Sequence, residues 1–252
     1  MSRTNAAVVA VVALAALLHA GGGGIAARPL GAAVDPAQTH AQRPGGPTPL
    51  RPQSKSKPKL FDPLDLGLLD APDRDQWQKP ELIMDELQIA EGSAVAEIGA
   101  GGGWFTILLA RRVGPNGVVY AEDIQPEMIE AMRLRVQHEN LANVTPILGT
   151  PNDPRLRAPV DAVLIVETFK EMDEPPADAV VLLTKVAQSL KPQGRIGIVD
   201  FKPGSGGPGP AADERVPPEK VIATATAAGL RLIKREDVPP FMYLLVLGRS
   251  RS

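Results

Sequence analysis

A run of glycines between a short, mostly apolar segment and a helical pattern constrains the fold of this chain most. Residues 93–98 have the length and composition of a buried strand, and glycines follow at positions 99, 101, 102 and 103. Residues 104–113 then have a helical pattern that ends at Gly114-Pro115. Glycine permits a tight turn and a close approach of the backbone to a ligand. The sequence therefore predicts a strand, a ligand-contacting loop and a helix.

Strand and helix patterns alternate along the rest of the chain. Further strands are predicted at 117–121, 143–148, 161–166 and 195–199, and helices at 80–89, 126–136, 177–190 and 217–228. Two final strands, 230–234 and 242–247, are close enough in sequence to form a hairpin. This order predicts an α/β fold: a doubly wound, Rossmann-like sheet, mostly parallel, with a C-terminal antiparallel hairpin. Ligands of such sheets bind beyond the carboxyl ends of the strands.

The glycine spacing distinguishes between two kinds of cofactor. A nicotinamide fingerprint reads Gly-x-Gly-x-x-Gly, and counting from Gly99 its last glycine falls on Trp104. Glu97, two positions before Gly99, fits another pattern, Glu/Asp-x-Gly-x-Gly-x-Gly. The segment thus resembles the first motif of class I S-adenosylmethionine-dependent methyltransferases. The resemblance covers residues 73–248 and is strongest to a bacterial group of predicted methyltransferases, often with an N-terminal signal. Segments 74–80, 123–128 and 194–195 also carry it.

The resemblance implies S-adenosyl-L-methionine as cofactor and a Rossmann-like methyltransferase sheet around it. Glu97 would orient the amino end of the methionine moiety, directly or through water. Gly99, Ala100 and Gly101 would let the cofactor pass over the loop. The cofactor has no phosphates, and the sequence has no basic phosphate cradle at this loop.

The same resemblance gives roles to three residues after the next strands. Asp123, about 20 residues past the glycines, would bind the ribose hydroxyls, as an acidic residue does in such folds. Ile124 would lie against the adenine. Asp153 would meet the adenine amino group, although an Asp before Pro154 is equally typical of a turn or a helix cap.

The exit of the fourth strand, residues 167–175, is where acceptor contacts are expected. Methyl transfer is an in-line displacement, so the protein mainly positions the acceptor, and a base is needed only if the acceptor must lose a proton. Glu167 and Lys170 are the candidate catalytic residues. Similar proteins usually have Tyr-His where this chain has Phe169-Lys170, and Lys170 replaces a histidine base only if burial lowers its pKa. A solvated charged turn fits the segment equally well.

Two further features border the expected site. Arg74 and Trp77 are candidates for a roof over the pocket, although a Trp that covers a core edge is the commoner arrangement. Residues 204–210 form a long Gly- and Pro-rich insertion after strand five. This insertion is placed well for a lid, and it fits a passive surface loop equally.

Composition excludes several kinds of site. The 252 residues include no cysteine, which excludes disulfides, Cys-ligated metals and thiol nucleophiles. Of the three histidines, only His138 lies outside the first 60 residues, so no metal site is expected. The net charge is −2, and the basic and acidic residues are mixed along the chain. The absence of a basic segment argues against a nucleic-acid partner.

The first 60 residues differ from the rest in composition. Arg3 precedes an apolar run, residues 6–18, which is the pattern of a secretory signal and is shorter than a membrane span. Residues 1–27 are thus predicted to be a signal peptide or a membrane anchor, and any membrane association is expected only there. Residues 28–60 are Pro-rich and predicted to be a disordered linker before the domain at 61–252. The expected location is exported, periplasmic or anchored; an over-extended start would leave the protein cytoplasmic.

Three functions compete on these residues. The first is a methyltransferase that acts on a small molecule. The second is a non-catalytic ligand-binding protein on a methyltransferase scaffold, which Phe169-Lys170 and the predicted export favour. The third, a nicotinamide oxidoreductase, is disfavoured by Trp104 and by the lack of a Tyr/Lys or Ser/Lys pattern. The sequence leaves the acceptor, the target atom and the oligomeric state open.

Overall fold

A computed structural model describes residues 60–204 and 206–250 of the chain. The predicted leader at 1–27 and the predicted linker up to residue 59 lie outside the described residues. The described residues belong to one unit, Gln53–Ser252. Within them, no helix combines the length and the apolar composition that crossing a membrane requires.

A seven-stranded sheet forms the centre of this unit. Its strands are β1 (Ala94–Ile98), β2 (Val118–Asp123), β3 (Val144–Leu148), β4 (Val160–Val166), β5 (Leu190–Phe201), β6 (Leu230–Val238) and β7 (Met242–Arg249). The spatial order is β3-β2-β1-β4-β5-β7-β6. The first five strands are parallel, and β7 pairs antiparallel with both β5 and β6. The predicted fold, a mostly parallel Rossmann-like sheet with a C-terminal hairpin, is confirmed.

Helices connect the strands and cover the sheet. They are α1 (Arg74–Gln78), α2 (Pro80–Glu86), α3 (Trp104–Val113), α4 (Pro126–His138), α5 (Phe169–Met172), α6 (Ala179–Gln188) and α7 (Pro218–Ala227). Proline occupies the first turn of α2, α4 and α7, where its missing N–H costs no helical hydrogen bond. A 3₁₀ helix, Pro63–Asp70, precedes them and was not evident in the sequence pattern.

The middle of the sheet is buried on both faces, as the apolar sequence of β4 predicts. Alternate residues of β4 pack into opposite layers of the core: Val163 and Ile165 on one side, Ala162 and Leu164 on the other. All four side chains are essentially inaccessible to solvent. Because the middle of the sheet is filled, a ligand can approach it only at the strand ends.

Candidate functional site

A cleft of about 880 Å³ lies at the carboxyl ends of the parallel strands. The loops after β1, β2, β4 and β5 contribute to its lining, and the 3₁₀ helix Pro63–Asp70 contributes from the N-terminal side. This is the edge at which doubly wound sheets bind ligands. Residues predicted for the cofactor and residues predicted for the acceptor line the same cleft. They are Glu97, Gly99, Ala100, Gly101, Asp123, Ile124, Glu167 and Lys170.

The glycine loop forms the floor of the cleft in a conformation that requires glycine. Gly99, Gly101 and Gly103 have φ angles of 71°, 53° and 83°, in the left-handed region that other residues rarely adopt. A β-carbon built on Gly99 would lie 2.4 Å from the γ-methyl carbon of Thr168, at the exit of β4. The backbone of Gly99 is therefore held directly against the neighbouring strand exit.

Replacing Gly99 with alanine should lower the stability of the protein and its affinity for a cleft ligand. We expect a loss of about 1–3 kcal/mol in the free energy of unfolding, from the left-handed backbone and the collision with Thr168. Gly92→Ala is the matched control, because Gly92 has a φ of 81° and nothing within 4 Å of an added β-carbon. Urea titration measures the loss of stability in both variants. Equal losses of unfolding free energy in the two variants would show that the collision with Thr168 contributes nothing to the effect.

Glu97 is the penultimate residue of β1, two positions before Gly99 of the glycine loop. Its side chain lines the cleft but is only 3% exposed, and it accepts a hydrogen bond from the Thr106 hydroxyl on α3. Burial raises the pKa of Glu97 to about 7. An ammonium group placed in the cleft would stabilise the ionised carboxylate, so the geometry suits the predicted partner of Glu97.

The carboxylate of Asp123 holds the loop together. One oxygen accepts the N–H of Gly101 at 2.9 Å and the other accepts the N–H of Gln125 at 2.9 Å. Burial is the largest of several effects on Asp123 and raises its pKa, while these N–H donors lower it. The neighbouring Glu122 is also buried and its pKa is raised, first by burial and then by the charge of Asp123. Asp123 therefore has a structural role beside its predicted ribose contact.

The two residues predicted to contact adenine are placed differently. Ile124 lines the cleft. Asp153 is not among the lining residues; its carboxylate accepts the N–H of Arg155 at 2.8 Å, and its backbone bridges to Thr150. Asp153 thus adopts the turn arrangement that the sequence left open. Thr150 and Pro151 line the cleft beside it, and the adenine contact of Asp153 stays a prediction.

Arg74 and Trp77, the candidate roof residues, both line the cleft, and Arg74 is hydrogen-bonded to the fully buried Gln78. The Nε of Arg74 donates to Gln78 Oε1 at 2.6 Å, and its Nη1 donates to the carbonyl of Leu69 at 2.6 Å. The guanidinium lies 4.4 Å from the ring centre of Trp104, in a cation–π contact. Gln78 in turn donates to Glu167 at 2.9 Å. These hydrogen bonds connect α1 to the exit of β4, a link that helix periodicity did not indicate.

Lys170 lines the end of the cleft at the exit of β4. Its side chain is 38% exposed and its Nζ is 3.4 Å from the carboxylate of Glu214. This is the solvated arrangement that the sequence left open as the alternative to a buried base. The insertion after β5 also reaches this end: Pro208, Gly209 and Pro210 line the cleft. Arg215 holds that insertion by hydrogen bonds to carbonyls that include those of Pro208 and Pro210.

Two carboxylates at this end were not anticipated from the sequence. Asp200, near the end of β5, is 5% exposed, and burial raises its pKa to about 7. Glu171, on α5, has one buried carboxylate oxygen with no hydrogen-bond partner. The signal for Asp200 was present, since an acidic residue ends an apolar strand. Across residues 60–204 and 206–250, no group of three or more His, Cys, Asp or Glu side chains is arranged to hold a metal ion.

Comparison with known proteins shows similarity to methyltransferases. Residues 95–194 match the family model of the methyltransferase domain. The fold is the Rossmann-like fold of S-adenosylmethionine-dependent methyltransferases. A solved structure of a SAM-dependent methyltransferase from Aquifex aeolicus is 28% identical, with a TM-score of 0.68 over 75% of this chain and 98% of that one.

Two curated relatives are similar over a shorter region. A protein-L-isoaspartate O-methyltransferase of Methanothrix thermoacetophila is 31% identical over 119 residues, which cover 46% of this chain and 50% of the relative. A nocamycin O-methyltransferase of Saccharothrix syringae is 30% identical over 117 residues, covering 46% and 40%. This chain thus spans about half the length or less of these relatives. The matched region, residues 95–194, supports a methyltransferase domain that contains the glycine loop.

Proposed function

We propose that this protein binds S-adenosyl-L-methionine in the cleft and transfers its methyl group to a small-molecule acceptor. One observation carries the proposal: the glycine loop, Glu97 and Asp123 line a single cleft at the carboxyl ends of β1 and β2. The match of residues 95–194 to the methyltransferase domain supports the same conclusion.

The described residues divide the work of binding. Glu97 would accept the ammonium group of the methionine moiety, and Asp123, already fixed by two backbone N–H groups, would accept the ribose hydroxyls. The bound cofactor supplies a methyl group on a sulfonium, a good leaving group. The side chains of Trp77 and Trp104 line the cleft with residues of the 3₁₀ helix, and they would limit the access of water to the transfer. The remaining task of the protein is to align the acceptor.

Photochemical labelling tests the proposal. The full chain is irradiated with S-adenosyl-L-[methyl-³H]methionine, and incorporated tritium is measured after electrophoresis. We expect labelling that excess S-adenosylhomocysteine suppresses and excess NAD does not. Labelling that resists S-adenosylhomocysteine, or suppression by NAD alone, would contradict the assignment of the cleft.

A non-catalytic ligand-binding protein is the second candidate function. The exposed position of Lys170 and its pairing with Glu214 favour it, because the turn that holds Phe169-Lys170 offers no buried histidine or lysine base. The two functions differ in turnover. A binding protein would take up the labelled cofactor and release no S-adenosylhomocysteine with any acceptor fraction, whereas the enzyme would release it with at least one.

A small molecule as acceptor is part of the proposal. The relatives include enzymes named for a protein substrate, protein-L-isoaspartate, and one named for a small molecule, nocamycin. In this chain Pro208–Pro210 and Glu214 also line the cleft, so the segment after β5 adds a wall to it. A small acceptor suits a walled cleft better than the surface of a folded protein does.

We further propose that residues 1–60 direct the protein out of the cytosol or to the membrane. The apolar run at 6–18 after Arg3 supports this. A fusion of residues 1–60 to a reporter that is active only outside the cytosol should be active, and the same fusion with two aspartates in the apolar run should be silent. A wild-type fusion without reporter activity would contradict export. It would indicate that the domain stays in the cytosol, where the cofactor is made.

A further inference from the structure

The acceptor end of the cleft is strongly acidic. Five carboxylates line it, contributed by the exits of β4 and β5, by α5 and by the insertion after β5: Glu167, Glu171, Glu174, Asp200 and Glu214. Arg74 and Lys170 are the cations that line this end among the described residues, and the charge of Arg215, which does not line the cleft, also acts on Asp200. The carboxylates therefore outnumber the cations even when Arg215 is included.

The strand order of the sheet brings two of these carboxylates, Glu167 and Asp200, together. β4 and β5 are parallel neighbours in which Val166 pairs with Val199, so Glu167 and Asp200 leave the sheet side by side. The N–H of Glu167 donates to the carbonyl of Val199 at 2.9 Å, and Glu167 has a left-handed φ of 55°, which fixes it at this edge. The charges of Glu167 and Glu171 both act on Asp200.

Two carboxylates of this cluster, Asp200 and Glu171, have few hydrogen-bond partners among the described residues. Asp200 is 5% exposed, and the hydrogen bond to it comes from the N–H of the adjacent Phe201, at 2.7 Å to one oxygen. Glu171 has a buried carboxylate oxygen without a hydrogen-bond partner. Burying a carboxylate without a partner is costly, so a site that keeps such groups suits a ligand that supplies positive charge or N–H donors.

We propose that the acceptor of this methyltransferase is an amine, which enters as a cation and is methylated on nitrogen. This inference rests on the proposed function and names the substrate class of the same cleft. An ammonium group among Glu167, Glu171 and Asp200 would add positive charge, and it would bring N–H donors to the unpaired oxygen of Glu171 and to Asp200. A carboxylate acceptor would instead meet more like charges than cations at this end of the cleft.

The reaction balances with the groups present. The ammonium form of the acceptor gives one proton to a carboxylate of the cluster, and Asp200 is the most enclosed of them. The freed nitrogen lone pair forms a bond to the methyl carbon while the carbon–sulfur bond breaks. The electron pair of that bond stays on sulfur, which becomes the neutral thioether. The product is the methylated ammonium.

Charge-separated fractions test the substrate class. A bacterial small-molecule extract is divided by ion exchange into basic, neutral and acidic fractions, and each is incubated with the full chain and tritiated S-adenosylmethionine. We expect label in the basic fraction, in a product that a cation exchanger retains and that alkali does not convert to methanol. Label mainly in the acidic or neutral fraction, or in no fraction although the cofactor binds, would overturn the amine proposal. Failure to bind the cofactor would overturn the proposed function instead.

A variant pair tests the carboxylates themselves. Asp200→Asn keeps the size of the side chain and the acceptor for the Phe201 N–H, and it should reduce transfer to the basic fraction at least tenfold. Glu130→Gln, at an exposed site on α4, is the control and should leave transfer unchanged. Both variants should bind S-adenosylhomocysteine like the wild type. Undiminished transfer by Asp200→Asn and by Glu171→Gln would contradict the assignment.

Discussion

Replacing Asp123 with alanine should weaken the binding of S-adenosylhomocysteine tenfold to about a hundredfold. A carboxylate that accepts two ribose hydroxyls makes charge-assisted hydrogen bonds, worth about 1.5–3 kcal/mol. The structure adds a second reason, since Asp123 also accepts the N–H of Gly101 and fixes the loop over which the cofactor passes. Isothermal titration of the full chain measures the change.

Asp123→Asn is the matched variant for this prediction. Asparagine retains one acceptor oxygen, so it can hold the N–H of Gly101 or that of Gln125 but not both. The affinity of Asp123→Asn for S-adenosylhomocysteine should lie between that of the wild type and that of Asp123→Ala. The alanine variant should also have a lower thermal midpoint, because two N–H groups lose their acceptor. Unchanged affinity in both variants would move the ribose contact to another residue, and the buried Glu122 would be tested next.

The affinity for S-adenosylhomocysteine should rise at least tenfold between pH 5.5 and pH 7.5. Burial raises the pKa of Glu97 to about 7, so its carboxylate is mostly protonated at pH 5.5 and mostly ionised at pH 7.5. The ammonium group of the ligand binds the ionised form. Glu97→Gln should flatten the dependence and bind weakly at both values, whereas Glu130→Gln should follow the wild type. A wild-type affinity that is flat across this range would remove Glu97 from the ammonium contact.

The stability of the unliganded protein should change in the opposite direction. The pKa of Glu97 is about 7 in the folded protein and near the ordinary glutamate value of 4.5 in the unfolded chain. The folded state therefore holds the proton more tightly, and stability is lost as the pH rises from about 4.5 to about 7. The ionised carboxylate costs on the order of 3 kcal/mol above that range. Glu97→Gln should recover much of it, as measured by urea unfolding at pH 8.

The elements that the sequence predicted well have strong local signals. α3 and the start of α4 are confirmed to the residue, because Gly103 and Gly114 flank the first and Pro126 begins the second. The alternation of β1 to β5 was sufficient to place the cleft at the carboxyl ends, where eight of the predicted site residues lie. These features depend on neighbours in sequence, which a single chain reveals.

The features that the sequence did not predict depend on distant contacts. The 3₁₀ helix Pro63–Asp70 has no apolar periodicity; it lies where it does because Asp70 pairs with Arg135 and Leu66 packs above Gly102. The Gln78–Glu167 hydrogen bond joins residues 89 positions apart. The acidity of the acceptor end arises only when two parallel strands place Glu167 and Asp200 together. No local pattern records such pairings.

Calorimetric titration of the full chain with S-adenosylhomocysteine and with NAD tests the central claim most directly. The account predicts binding of S-adenosylhomocysteine in the micromolar range, about −8 kcal/mol, and no measurable binding of NAD. The glycine loop, Glu97 and Asp123 would then form a methyltransferase cofactor site. Tighter binding of NAD, or no binding of S-adenosylhomocysteine by folded protein, would contradict it.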